Sequence, residues 1–210
     1  MENLDKTLRI YYDAEFTGLH RNTTLISIGL VCENGHSFYA EFTDYDKDQV
    51  DDWIQENVIN NLIITHMDVI KLLNERINNP NKVFVKGDMR TVQHALLKWL
   101  ESEYKEYGRQ IQIYSDCYAY DWMLFNTLIC GNGNALNIPP FINYIPIDLS
   151  TSLLVNGFEP DVSREAFIGY ATVKNIMKLP PFNTMRNCKH NSLWDAYVIA
   201  KCFDAIDLKC

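Results

Sequence analysis

Apolar and polar positions alternate over residues 8–16 (LRIYYDAEF), and β-formers dominate, which predicts a strand. A nearly continuous apolar run at 23–32 (TTLISIGLVC) predicts a second, buried strand, and HSFYAEF at 36–42 a third. Glu33, Asn34 and Gly35 separate these two. An Asn-Gly pair between strand patterns signals a hairpin, because both residues tolerate positive φ. Residues 17–22 form a link short enough for an antiparallel first pair. The chain therefore opens as a three-strand meander.

The period then becomes helical. Residues 48–60 turn Val50, Trp53, Ile54 and Val58 inward, and residues 66–77 do the same with Met67, Ile70, Leu73 and Ile77. Residues 89–104 place Val92, Leu96, Trp99 and Leu100 on one face. IQIYSD at 111–116 reads as a buried strand, and 120–129 as a helix stopped by Gly131 and Gly133. IPIDLS at 145–150 reads as a short strand entering a helix N-cap at Ser150 or Thr151. Residues 165–177 and 191–206 read as helices, the last capped by Asn191 or Ser192. The expected class is α/β, with a mixed five-stranded sheet and helices on both faces. An antiparallel meander and two crossover strands compose that sheet. One domain spans 1–210, with a helical insertion at about 48–105.

Hydrophobic residues make up 47% of the 210 and charged residues 22%, which excludes a disordered chain. No apolar run approaches the ~18 residues of a membrane span. The start, MENLDKTLRIYYD, carries early acids and lacks a secretory pattern, so the expected location is cytoplasmic. Cys32, Cys117, Cys130, Cys188, Cys202 and Cys210 include no CxxC pair, and they read as reduced intracellular thiols. The net charge of −8 argues against diffuse nucleic-acid binding by the whole surface. The charge is uneven, however. Glu41, Asp44, Asp46, Asp48, Asp51, Asp52 and Glu56 are opposed within 41–56 by Lys47 alone. Between Glu165 and Asp195 there is no acid, while Lys174, Lys178, Arg186 and Lys189 are present.

Three patches interrupt apolar runs with carboxylates: Asp13 and Glu15, then Asp121, then His190 with Asp195. A carboxylate in an apolar setting must be paired, neutralised or bound to a cation. Asp13 and Glu15, two apart on a strand, project from the same face, and Tyr12, Ala14 and Phe16 from the other. Two such neighbours raise each other's pKa unless a cation offsets both. Asp121 sits where a strand gives way to a helix, where capping is the ordinary role of Asp, and Asp116 is a rival at the strand end. Four oxygen donors and one imidazole suit Mg²⁺ or Mn²⁺ better than zinc. Two such ions, roughly 4 Å apart, stabilise the attacking and leaving oxygens of an in-line phosphoryl displacement. An imidazole of near-neutral pKa suits deprotonation of the attacking water.

The stretch Asp13-Ala14-Glu15-Phe16-Thr17-Gly18-Leu19, Asp121 at a helix start, and the H-x4-D spacing from His190 to Asp195 resemble the three motifs of the DEDD 3′-5′ exonucleases. The histidine-bearing DEDDh subgroup, and within it the small stand-alone 3′-5′ exoribonucleases, is the nearest likeness. The resemblance implies a ribonuclease H-like fold and a metal-dependent exonuclease releasing nucleoside 5′-monophosphates from single-stranded or overhanging 3′ ends, RNA over DNA. It further implies that Asp13, Glu15, Asp121 and Asp195 hold two Mg²⁺ or Mn²⁺ ions and that His190 activates water. Thr17 would lie near the terminal sugar, with Phe16 or Leu19 against the base. Phe16 stands where many relatives have Thr. Tyr11, Tyr12, Tyr118, Tyr120 and Trp122 are candidates for base stacking or for plain core packing. The rival reading is a catalytically idle domain of this fold that binds nucleic acid or a protein. The segment 48–105 would shape the substrate groove or join two copies in a homodimer.

Overall fold

The computed structural model describes residues 7–66, 79–131 and 134–209, apart from the side chains of Tyr118 and Lys209. The helix expected at 66–77 falls almost wholly outside them, as does part of the loop after Gly131. In chain order the strands and α-helices are β1 (Thr7–Phe16), β2 (Leu25–Cys32), β3 (Ser37–Phe42), α1 (Asp52–Asn57), α2 (Ile63–His66), β4 (Lys82–Gly87), α3 (Met89–Tyr107), β5 (Gln110–Ser115), α4 (Tyr118–Cys130), β6 (Ile147–Asp148), α5 (Leu149–Val155), α6 (Arg164–Ile168), α7 (Tyr170–Met177) and α8 (Ser192–Lys209). They make an α/β structure around one mixed sheet of order β4-β3-β2-β1-β5-β6.

The meander is present: β1 pairs antiparallel with β2 and β2 with β3. Gly35, at φ +90°, makes the hairpin turn between β2 and β3. Strands β5 and β6 add in parallel on the other side of β1. The sheet has six strands and not the expected five, because Lys82–Gly87 pairs in parallel with β3, from Ser37↔Lys82 to Phe42↔Gly87. Only Val83, Phe84 and Val85 are apolar in that stretch, a core too short to stand out between two helical patterns. Pairing with β3 decides the matter. The segment 48–105 thus contributes an edge strand as well as helices. Helix α3 packs Val92, Leu96, Trp99 and Leu100 into the main core.

Helices cover both faces. Tyr12, Ala14, Ile28, Leu30 and Phe38 meet α3 and α4 on one side, where Leu124, Phe125 and Leu128 complete the core. Tyr11, Val31, Tyr39 and Tyr114 meet α8 on the other, against Leu193, Trp194 and Phe203. Residues 165–177 do not form one helix, since Gly169 at φ +82° separates α6 from α7. The N-cap before α5 is Asp148, two residues before Ser150 and three before Thr151, and its carboxylate accepts from the Thr151 N–H.

Gly29 sets how closely α8 approaches the sheet. It lies opposite Asp13 in the register, and a Cβ there would stand 2.3 Å from the Ser192 carbonyl and the Leu193 nitrogen. The hydroxyls of Ser27 and Ser192 meet at 3.0 Å one cross-strand step along. Helix α8 is therefore seated directly over the strand pair that carries Asp13 and Glu15. Gly29→Ala should cost about 3 kcal/mol or more, because backbone must move to admit the methyl group. The melting temperature should fall together with any activity that needs Asp195. An unchanged melting temperature would mean that the helix does not rest on this glycine.

Candidate active site

Asp13 and Glu15 project from β1 toward α8, on the face opposite Tyr12 and Ala14. Asp195 sits in the first turn of α8, and its backbone N–H donates to the Asn191 carbonyl at 2.9 Å. Asn191 is the N-cap, with its side-chain oxygen accepting from the Trp194 N–H at 3.3 Å. Its amide group donates to the Asn61 carbonyl at 2.9 Å and tethers the helix start to the segment after α1. One carboxylate oxygen from each of Asp13, Glu15 and Asp195 lies within 4.8 Å of the others.

Asp121 is buried beside them at 3% exposure. Strand β5 ends its pairing at Tyr12↔Ser115, so the Ala14 N–H is left over and donates to the Asp121 carboxylate. This contact is what brings the first turn of α4 against β1. Asp116, the rival carboxylate, is committed elsewhere. Arg164 grips it through Nε at 2.6 Å and a second nitrogen at 2.9 Å, and the Ser150 hydroxyl donates to it at 3.1 Å. Arg164 spends its other N–H groups on Ser150 and on the Pro160 and Val162 carbonyls.

The electrostatics are those of crowded, poorly hydrated acids. Burial first, then the charges of Asp121, Asp195 and Glu15, push the Asp13 carboxyl well above its ordinary value. Burial raises Glu15 well above its range, with Asp195 adding to it. Asp121 rises through burial and the Glu15 charge, against the Ala14 hydrogen bond. Burial and Glu165 push Asp195 up to about 8, while the His190 backbone N–H and Lys189 pull the other way. Among the described residues no Lys or Arg forms an ion pair with any of these four. Hard oxygen donors converge here with no ion-paired cation among the described residues, which is the arrangement a divalent ion fits.

His190 lines the same cavity, of about 720 Å³, as Asp13, Glu15, Asp121 and Asp195. Its backbone is left-handed, φ +58°, which directs its N–H to Asp195. Burial, and then Lys189, hold its imidazole below the ordinary pKa. The ring meets the Trp53 indole edge to face, with centroids 5.1 Å apart. Trp53, expected inside a helix over 48–60, is 54% exposed instead. The helical stretch is broken into short pieces, in which Ile54 and Val58 are buried and Val50 packs partly buried against them. Leu19 is 70% exposed on the cavity wall, and Phe16 lines the cavity stacked on Tyr120 at 5.6 Å. The Thr17 hydroxyl is engaged in hydrogen bonds within the protein. It is buried, donates to the Gln49 side chain at 2.5 Å and accepts from the Thr24 N–H at 2.8 Å, which fixes the loop that follows β1.

Of the flanking aromatics, Tyr11 and Tyr12 are core residues. Tyr120 packs on Phe16, and Trp122 stacks on Phe125 at 5.6 Å. The Tyr118 side chain lies outside the described residues. Sequence reasoning missed Glu165, whose charge reaches both His190 and Asp195, and the Arg164–Asp116 pair. Neither falls in a recognisable motif.

No protein-family model matches the chain. A stretch of 52 residues, 25% of the chain, is 36% identical to proteins of Mycobacterium tuberculosis from the strains CDC 1551 / Oshkosh and ATCC 25618 / H37Rv, each named 3′-5′ exoribonuclease. The matched stretch spans 31% of the length of those proteins.

Proposed function

We propose that this protein is a metal-dependent 3′-5′ exonuclease that releases nucleoside 5′-monophosphates from single-stranded or overhanging 3′ ends, with RNA favoured over DNA. The observation that carries this reading is the convergence of Asp13, Glu15 and Asp195 within 4.8 Å in the cavity shared with Asp121 and His190. The name of the mycobacterial relatives, 3′-5′ exoribonuclease, supports the same direction of attack and the ribose substrate. The strand order, with its antiparallel meander and flanking parallel strands, fits a ribonuclease H-like fold.

Asp13, Glu15, Asp121 and Asp195 would hold two Mg²⁺ or Mn²⁺ ions, which when bound stabilise charge on the attacking and leaving oxygens of a phosphodiester displacement. His190 supplies the base: with its pKa held below the ordinary value, it is neutral near pH 7 and able to take the proton of the attacking water. Phe16 and Leu19 present apolar surface to the base of the terminal nucleotide. The Thr17–Gln49 hydrogen bond keeps their loop in place.

The direct test is a 5′-labelled oligonucleotide, as RNA and as DNA, incubated across a metal series. A stepwise ladder from the 3′ end, faster on RNA and lost in EDTA, is the expected result. Cleavage of a circular strand would overturn the exonuclease assignment. His190→Ala should lower kcat about 10²-fold with little change in KM, because the imidazole acts on the chemical step. The acid limb of the wild-type rate should lie below the ordinary imidazole value of ~6.5. A rate that is flat through that region, with chemistry limiting, would remove His190 from the role.

A further inference from the structure

We propose that the excursion from Glu165 to Lys189 carries the upstream part of the same strand, and forms a cationic track for the phosphates that follow the 3′-terminal nucleotide. The proposal rests on the reading of the cavity as the seat of a strand's 3′ end. Both ends of the excursion line that cavity, through Arg164 and Glu165 at its start and Lys189 and His190 at its close. Between those ends the chain has no acid and carries Lys174, Lys178 and Arg186, in a protein whose net charge is −8. All three are exposed.

Their arrangement is that of a single-strand surface. Tyr170 and Lys174 on α7 and Lys178, its C-cap residue, recur every four residues and so share one stripe of the helix. Tyr170 is 73% exposed, and the Lys174 ammonium stands over its ring, 4.7 Å from the centroid. Lys178 is held by the Asn175 side chain at 3.2 Å, and among the described residues no ion pair occupies any of these cations. An exposed aromatic face beside phosphate-seeking cations is the combination that binds unpaired strands without regard to sequence. After α7 the chain turns through Phe182–Thr184 and passes Arg186 on its way back to Lys189. The segment 44–56 is acidic and lines the cavity through Asp51, as Asp161 and Glu165 do near the start of the excursion. A polyanion entering the cavity is therefore repelled from residues 44–56 and drawn along 170–189.

The test is fluorescence anisotropy of a 5′-labelled RNA strand of about 12 nucleotides, measured in EDTA so that the strand stays intact. Three engaged phosphates should cost the wild type about 20-fold in affinity between 50 and 200 mM salt. The triple variant Lys174→Gln, Lys178→Gln, Arg186→Gln should bind about ten-fold more weakly at low salt and lose most of that dependence. Its melting temperature should match the wild type. A triple variant that binds the strand as tightly as the wild type overturns the track. So does a protein that binds anionic phosphatidylserine vesicles through these residues and binds no strand. Salt-sensitive binding lost in the variant, in a protein that cleaves nothing with Mg²⁺ or Mn²⁺, would uphold the track and refute the proposed activity. The two failures are therefore separable.

Discussion

Asp13→Asn should lower turnover at least about 10³-fold and, in metal-free buffer, raise the melting temperature. The two effects share one cause. Asp13 is the carboxylate whose pKa the other acids push up together, with Asp121, Asp195 and Glu15 all contributing after burial. In the metal-free fold its charge is a cost, because it sits among like charges with no ion-pair partner among the described residues. The amide keeps the shape and removes the repulsion. With an ion bound as proposed, the same charge would be a ligand, and the amide would be a far weaker one. A variant that is less active and also less stable in EDTA would show that Asp13 is held by something other than this cluster.

Metal removal is the second large effect. EDTA should abolish hydrolysis, and Mn²⁺ at about 100 times its dissociation constant should stabilise the fold by about 2.7 kcal/mol. The pH dependence has a definite sign. Asp195 is near 8 in the fold, well above the ~3.9 of a free aspartate, and Asp13, Glu15 and Asp121 are raised as well. Between those limits the folded chain binds more protons than the unfolded one, so these groups reduce stability as pH rises from about 4 to about 8. The metal-free melting temperature should therefore fall across that window, and the gain on adding Mn²⁺ should be larger at pH 8 than at pH 6. Binding should also expel protons, at least about one per chain at pH 7 and fewer as the pH rises past the Asp195 value of about 8. Calorimetry in two buffers of different ionisation enthalpy counts them. A metal-free protein that grows more stable from pH 5 to pH 8 would contradict the clustered acids.

Much of this site is legible in the sequence because its residues sit where local pattern is strongest. Asp13 and Glu15 interrupt a clear alternation, and His190 and Asp195 open a helix whose cap, Asn191, is itself readable. The meander could be read because Gly35 marks its hairpin. Other features depend on tertiary contacts that no local pattern encodes. Strand β4 exists because β3 offers a free edge. Trp53 faces the cavity because its helix is only six residues long and its inward side is filled by Ile54 and Val58. Gly29 looks like any strand glycine until the register sets it opposite Asp13 and beneath α8. Thr17 follows the first acidic patch, yet its hydroxyl is drawn to Gln49, a partner thirty-two residues away.

Diffraction from crystals soaked in Mn²⁺, recorded at a wavelength where manganese scatters anomalously, tests the central claim most directly. The account predicts anomalous peaks between the carboxylates of Asp13, Glu15 and Asp195, with a second ion on the Asp121 side. Ordered crystals with these carboxylates in place and no peak among them at millimolar Mn²⁺ would contradict it.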